Sequence, residues 1–150
     1  GEPGRLLLDF CSKRPFNCNN SFITYSPFNS LETWLFDKKK AEVLLAFEGE
    51  KPVGYALFFH NFSTFLGRAG IYLEDLFVLP EMRGKGYGKA LLSRVARLTV
   101  ERECGRLEWS CLDWNKPSLD FYHALGAKRM TGWTVHRLTG DDLKRGAQEG

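Results

Sequence analysis

Residues 74–92 constrain the fold more than any other stretch of the chain. The run opens Glu74-Asp75-Leu76-Phe77-Val78-Leu79-Pro80, continues Glu81-Met82-Arg83-Gly84-Lys85-Gly86-Tyr87-Gly88, and closes Lys89-Ala90-Leu91-Leu92. It reads as a buried strand, a proline-marked turn, a glycine-rich loop and the start of an amphipathic helix. Glycines at 84, 86 and 88 let the backbone approach a guest closely and take positive φ. The helix that follows aims unpaired N–H groups and the positive end of its dipole at the same place. That order builds a cradle for an anion, and phosphate is the natural guest. A Walker A loop needs Gly-x-x-x-x-Gly-Lys-Ser/Thr, which the chain lacks. A dinucleotide fingerprint needs Gly-x-Gly-x-x-Gly, whereas the spacing here is Gly84-x-Gly86-x-Gly88 after Arg83.

Charge and cysteine usage narrow the partners. A formal charge of +3 over 150 residues is too small to imply nucleic acid. Arg83, Lys85, Lys89, Arg94 and Arg97 nevertheless concentrate near the loop, which suits a polyanionic ligand. For Arg94 and Arg97 a solvated helix face explains the charge better. No apolar run approaches the ~20 residues of a membrane span, and no signal peptide is visible. Cys11 and Cys18, like Cys104 and Cys111, are spaced Cys-x6-Cys, which is not a zinc pattern. No metal site is expected. Cys104 and Cys111 read as buried thiols beside a strand, and the matching compartment is a reducing cytoplasm.

Patterning places the elements. Residues 43–48 and 53–60 read as a hairpin around Gly49-Glu50-Lys51-Pro52. Residues 61–70 read as a loop and 71–78 as a third strand. Leu91, Leu92, Val95 and Leu98 have helical spacing, so a helix is expected over about 88–103, ended by Gly105. Residues 106–112 then form a strand parallel to the third, completing a βαβ unit. Asn115 caps a short helix that has Pro117 in its first turn and stops at Gly126. Residues 133–138 read as a final strand, and the charged tail from Asp141 as a frayed helix. At the other end, 5–13 read as helical, 17–20 as a turn, 22–25 as a short strand or ordered loop, and 31–39 as a helix. The expected organisation is a single domain over 1–150, with its core at 43–138 and an atypical part at 1–42.

From about residue 43 to 138 the chain resembles the GNAT superfamily of N-acetyltransferases. More narrowly it is similar to the diamine (spermidine/spermine) N-acetyltransferase branch and its bacterial relatives. The resemblance rests on Tyr72-Leu73-Glu74-Asp75-Leu76-Phe77-Val78, on Arg83-Gly84-Lys85-Gly86-Tyr87-Gly88, on Trp114-Asn115-Lys116-Pro117-Ser118-Leu119-Asp120-Phe121-Tyr122, and on Gly126-Ala127. It implies an α/β (α+β) fold with a mixed, mostly antiparallel central sheet, a splayed parallel strand pair and flanking helices. It implies acetyl-CoA as co-substrate. Backbone groups of Leu76, Phe77 and Val78 would pair with the pantetheine arm. Amides from Gly84 through Lys85, Gly86, Tyr87 and Gly88 to Lys89 would hold the pyrophosphate. Asn115 and Ser118 would touch the cofactor further along. Tyr122 matches the family's general acid and Glu74 a substrate-side carboxylate, with Asp75 beside it. The relatives are usually homodimers.

These residue types suit the chemistry. An alkylamine has a pKa near ~10, so it must lose a proton before it attacks a thioester. Glu74 can attract the ammonium and accept that proton, directly or through water. Tyr122 can protonate the departing thiolate. Plainer readings stand beside these. In a regular strand Glu74 and Asp75 point to opposite faces unless a bulge realigns them. Tyr122, next to Phe121, could serve only the core. Trp133 either lines the acceptor pocket or packs inside. Arg83 serves either the phosphate or the loop itself.

The leading expectation is therefore acetyl transfer to a primary amine of a small diamine, polyamine or amino-acid-like acceptor by direct attack. The neutral-to-basic segments Asn61-Phe62-Ser63-Thr64-Phe65-Leu66-Gly67-Arg68 and Lys128-Arg129-Met130-Thr131-Gly132 disfavour a long polycation. The alternatives are a protein lysine or N-terminal acetyltransferase, and a non-catalytic module that binds acyl-CoA. The last is favoured if the opening strand and acceptor wall are incomplete, and no opening strand is recognisable before residue 43.

Overall fold

The computed structural model describes residues 6–10 and 31–149. The expectations for 17–20 and 22–25, together with Cys11 and Cys18, lie outside them. The described part divides into two compact units, with the division in the chain between Ser110 and Cys111.

The first unit is a five-stranded sheet in chain order: β1 (Leu6–Phe10), β2 (Glu42–Glu48), β3 (Lys51–Ser63), β4 (Arg68–Val78) and β5 (Leu107–Trp109). The first three pairings are antiparallel and β4–β5 is parallel. Helix α1 (Tyr87–Glu101) makes the crossover between β4 and β5. The mixed, mostly antiparallel sheet with one parallel pair is the expected architecture.

The sheet buries both faces. Antiparallel partners share a face, so Leu44, Ala56 and Leu76 lie together, as do Phe58 and Leu73. Helix α1 covers this face with Leu91, Leu92, Val95 and Leu98, all buried, and Leu91 packs over Gly54. On the other face Val43, Tyr55 and Leu57 form a cluster with Leu35, against which Leu45 and Phe77 pack. Leu35 comes from a π-helical turn, Thr33–Asp37, within the segment read as a helix over 31–39.

Four expectations need correction. The stretch read as helical at 5–13 holds an edge strand, and its register runs from Leu6↔Glu48 to Phe10↔Leu44. Three consecutive leucines hide the period of two, and pairing with β2 decides the conformation. The opening strand that the sequence conceals is present. The loop read at 61–70 shrinks to a turn at 64–67, because β3 and β4 stay paired as far as Ser63↔Arg68. Strand β5 is only three residues long rather than spanning 106–112. Cys104 and Cys111 are half-buried rather than buried.

One ion pair ties the end of α1 to the sheet. Arg102 grips Glu42 with two nitrogens, at 2.6 and 2.8 Å, and its guanidinium lies 5.8 Å from the Phe58 ring centroid. His60 Nε2 lies 3.4 Å from the same guanidinium. The hydrogen bonds from Arg102 hold the Glu42 carboxyl below its usual range, against an opposing effect of burial. A carboxylate whose pKa is depressed on folding stabilises the protein above its unfolded pKa, and that stability is lost as pH falls through the folded value. Glu42→Gln is therefore expected to reduce stability by about 1 kcal/mol at pH 7, as for a half-exposed pair. The deficit should vanish once pH falls below the depressed Glu42 value, where the native carboxyl is neutral too. Urea unfolding midpoints from pH 7 down to pH 3 check this.

The second unit contains α2 (Lys116–Ala124) and α3 (Gly140–Gln148). The helix foreseen in the charged tail forms. The final strand read at 133–138 does not: residues 133–139 are irregular, and Trp133 and Val135 are exposed. The alternation is there, but a strand is defined by a ladder partner, and these residues have none among the described residues.

Candidate active site

Strand β4 brings the carboxylate pair and the proposed cofactor edge together. Its register with β3 slips between Leu57↔Asp75 and Phe58↔Leu73, leaving Glu74 as the extra residue of a β-bulge. Tyr72 lies opposite Phe59, and Asp75 opposite Leu57, on one and the same face. Alternation from Tyr72 puts Glu74 on that face as well. The bulge thus resolves the question left by the sequence: both carboxylates are on the face of Tyr55, Leu57 and Phe77, and both are exposed.

The bulge coincides with the end of the β4–β5 pairing. Pairing of β4 with β5 ends at Leu73↔Trp109, while β4 runs on through Leu76, Phe77 and Val78. The Tyr72 hydroxyl and Ser110 Oγ lie 2.6 Å apart at this point, and the Tyr72 ring packs on Phe59 with centroids 5.3 Å apart. A strand that runs on past the end of its neighbour exposes peptide groups with which an extended, amide-bearing ligand can pair.

Asp75 and Tyr55 share a local environment. Partial burial raises the Asp75 carboxyl above its ordinary value. Burial, and secondarily the Asp75 charge, push the Tyr55 phenol up to about 12. Tyr55 also stacks on Phe77, with centroids 5.8 Å apart. No sequence motif marks Tyr55, because only the β3–β4 register brings it to this face.

The glycine loop follows directly. A 3-10 turn, Pro80–Met82, leads to Arg83 in extended conformation. Gly84 and Gly86 have φ of +81° and +88°, and a Cβ on either would meet nothing within 4 Å. Backbone conformation, not crowding, therefore requires glycine at these two positions. Gly88 departs from the expectation: it lies inside α1 with ordinary helical φ. No side chain caps α1 at Gly86, so its first amides remain available to a guest.

Side chains brace this loop. Arg83 Nε donates to the Val78 carbonyl at 3.0 Å, and its guanidinium lies 5.7 Å from the Phe77 ring centroid. That geometry favours loop-fixing among the two roles open to Arg83. Lys85 Nζ approaches Met82 Sδ at 3.8 Å, and Lys89 is exposed. The buried Tyr87 donates its hydroxyl to Glu48.

In the second unit, α2 carries three of the remaining candidates. Asn115 Oδ1 accepts from the Ser118 amide at 3.3 Å, so the Asn115 side chain acts as the helix cap. Gly126, with φ +93°, ends the helix, and the Ala127 amide bonds back to the Tyr122 carbonyl at 3.1 Å. Tyr122 is half-buried, with its ring 5.7 Å from that of Phe121. Burial, and secondarily Cys111, raise its phenol above the ordinary value, so it stays protonated at neutral pH. Trp133 lies in the irregular segment beyond and is exposed rather than interior. Among the described residues, no cluster of three or more His, Cys, Asp or Glu has the arrangement of a metal site. No described helix is long and apolar enough to cross a membrane.

Comparison with known proteins gives the same family at several levels. The acetyltransferase (GNAT) family model matches residues 9–127. An L-ornithine N5-acetyltransferase of Arabidopsis thaliana is 44% identical over 91 residues, a match covering 61% of this chain and 40% of that relative. A thialysine N-epsilon-acetyltransferase of Bos taurus is 41% identical over 100 residues, covering 65% of this chain and 58% of that enzyme. The chain thus spans about half the length of these relatives. A ribosomal-protein-alanine N-acetyltransferase from Brucella melitensis biovar Abortus 2308 shares the fold. Its TM-score is 0.74 at 20% identity, covering 89% of this chain and all of that one.

Proposed function

This chain belongs to the acetyltransferase (GNAT) family, and we propose that it transfers acetyl from acetyl-CoA to the primary amine of a small acceptor by direct attack. One observation carries this reading. The bulged carboxylate pair, the β4 edge that runs on beyond the end of β5, and the uncapped, glycine-led helix follow one another without interruption. They offer, in order, a site for an ammonium, an edge for an amide-bearing arm and a cradle for pyrophosphate.

The residues fit that co-substrate. Acetyl-CoA supplies the activated acetyl group when bound. Peptide groups of Leu76, Phe77 and Val78 would pair with its pantetheine arm and orient the carbonyl, where a backbone N–H stabilises developing charge. Amides from Gly84 to Lys89 would hold the pyrophosphate, with Arg83 fixing the loop. Asn115 caps α2; by the resemblance, Asn115 and Ser118 would touch the cofactor and Tyr122 would protonate the leaving thiolate. Glu74 accepts the ammonium proton, and Asp75 holds the positive charge on the same face. Trp133 serves the acceptor pocket.

The acceptor we propose is an amino acid with a terminal side-chain amine, of the kind named for the ornithine and thialysine relatives. The absence of acidic residues from the segments at 61–68 and 128–132 suits an acceptor that carries its own carboxylate. The presence of β1 removes one of the grounds for a non-catalytic module, the missing opening strand. A homodimer in a reducing cytoplasm is the proposed assembly and compartment, in keeping with the non-chelating cysteine spacing and with the relatives of this branch.

Thiol release from acetyl-CoA across ornithine, thialysine, putrescine, spermidine, an aminoglycoside and a lysine peptide tests the reading. Turnover is expected with ornithine or thialysine, with kcat/KM for spermidine at least about tenfold lower, since one charged contact commonly carries that much. Tight CoA binding without turnover on any amine would make the chain a binding module instead.

A further inference from the structure

We propose that Glu48 and Tyr87 form a positioning pair that aims the N-terminus of α1 at the CoA pyrophosphate. This deepens the acetyltransferase reading and rests on it. Tyr87 is the first residue of α1 and directly follows Gly86. Its side chain is 8% exposed, and its hydroxyl donates to a carboxylate oxygen of Glu48, 39 residues away. Glu48 is the last residue of β2, paired to Lys51 across the turn and to Leu6 of the edge strand. The bond therefore joins the glycine loop to the β2–β3 hairpin.

The other braces do something different. Arg83 and Lys85 tie the loop back to Val78 and Met82, within ten residues of themselves. They shape the loop but do not locate the helix end relative to the rest of the sheet. The loop between them and α1 is exposed and passes through two glycines of positive φ, which provide little stiffness. The amides of α1 hold an anion only along fixed directions, so a shift of the helix end degrades every contact together. A buried phenol donating to a carboxylate is directional and strong enough to set that position. The bond also raises the Tyr87 phenol above its usual value, keeping it a donor at working pH. It engages Glu48 near a site meant for negative charge.

The test compares two acetyl thioesters: acetyl-CoA, and S-acetylpantetheine, which lacks the pyrophosphate. Tyr87→Phe and Glu48→Ala are each expected to raise KM for acetyl-CoA about fivefold to twentyfold with kcat lowered less than about twofold, the signature of a misplaced binding group. S-acetylpantetheine turnover should fall less than about twofold, because the loop has nothing to grip. Glu48→Gln keeps an acceptor oxygen and should retain most of the native KM, which also covers the case in which Tyr87→Phe folds poorly. The double variant should be no worse than the worse single one, since the two residues act as one unit. Equal losses on both thioesters, or additive effects, would overturn the proposal and leave a merely structural tie. A native protein that binds no CoA by calorimetry would instead overturn the acetyltransferase reading, and the pair's role with it.

Discussion

Tyr122→Phe is expected to lower kcat by about 10²- to 10³-fold while CoA affinity stays within about twofold. The change removes one oxygen and keeps the ring, so the contact with Phe121 survives. The residue is only half-buried, which limits the packing penalty of the lost hydroxyl. What disappears is a phenol held above its ordinary pKa by burial, hence protonated and able to donate throughout the neutral range. A thiolate leaving from an acetyl thioester gains most from such a donor when its conjugate acid is weak. The defect should therefore shrink for an acetyl thioester of a more acidic thiol, such as a thiophenol. Steady-state rates with both thioesters, beside calorimetry with CoA, make the measurement. An unchanged kcat would remove Tyr122 from the chemistry, and an equal defect on both thioesters would reassign it to positioning.

What could be read from the sequence was local. The run from Glu74 to Leu92 declares its elements through an apolar strand, a proline, three glycines and a helical repeat, all within reach of one another. The Asn115 cap and the Gly126 stop are equally local, and both form. What stayed hidden depends on partners far along the chain. β1 is a strand because Leu6 to Phe10 pair with residues about forty positions away, and Leu-Leu-Leu-Asp-Phe does not alternate. The bulge at Glu74 exists only relative to Leu57 and Phe58, so no inspection of β4 alone could place both carboxylates on one face. The bond from Tyr87 to Glu48 spans two elements that share no motif. The error at 133–138 has the opposite origin: an alternating stretch signals a strand, but signalling does not supply a ladder.

The bulge also sets up the second large effect. Glu74→Gln is expected to reduce kcat/KM for the amine by about 10²-fold at pH 7, with acetyl-CoA affinity retained. An alkylammonium with a pKa near ~10 is almost wholly protonated there, so the step needs a base at the right place. Glu74 is the inserted residue of the bulge, exposed and on the same face as Asp75, Tyr55 and Phe77. As pH rises toward the amine's own pKa, solvent supplies the free amine and the Gln variant should recover toward the native rate. Asp75→Asn should behave differently. Its carboxyl is raised by partial burial, so its negative charge, and the attraction it exerts on the ammonium, is lost on acidification sooner than for an ordinary aspartate. Removing it should raise KM for the amine, and the acid limb of the native pH profile should flatten in the variant. A Glu74→Gln defect that stays constant from pH 7 to pH 10 would mean that Glu74 attracts the ammonium without taking its proton. Recovery at high pH in Asp75→Asn instead would pass the base role to its neighbour. The bulge makes either assignment possible, since it is what places two adjacent carboxylates before the same amine.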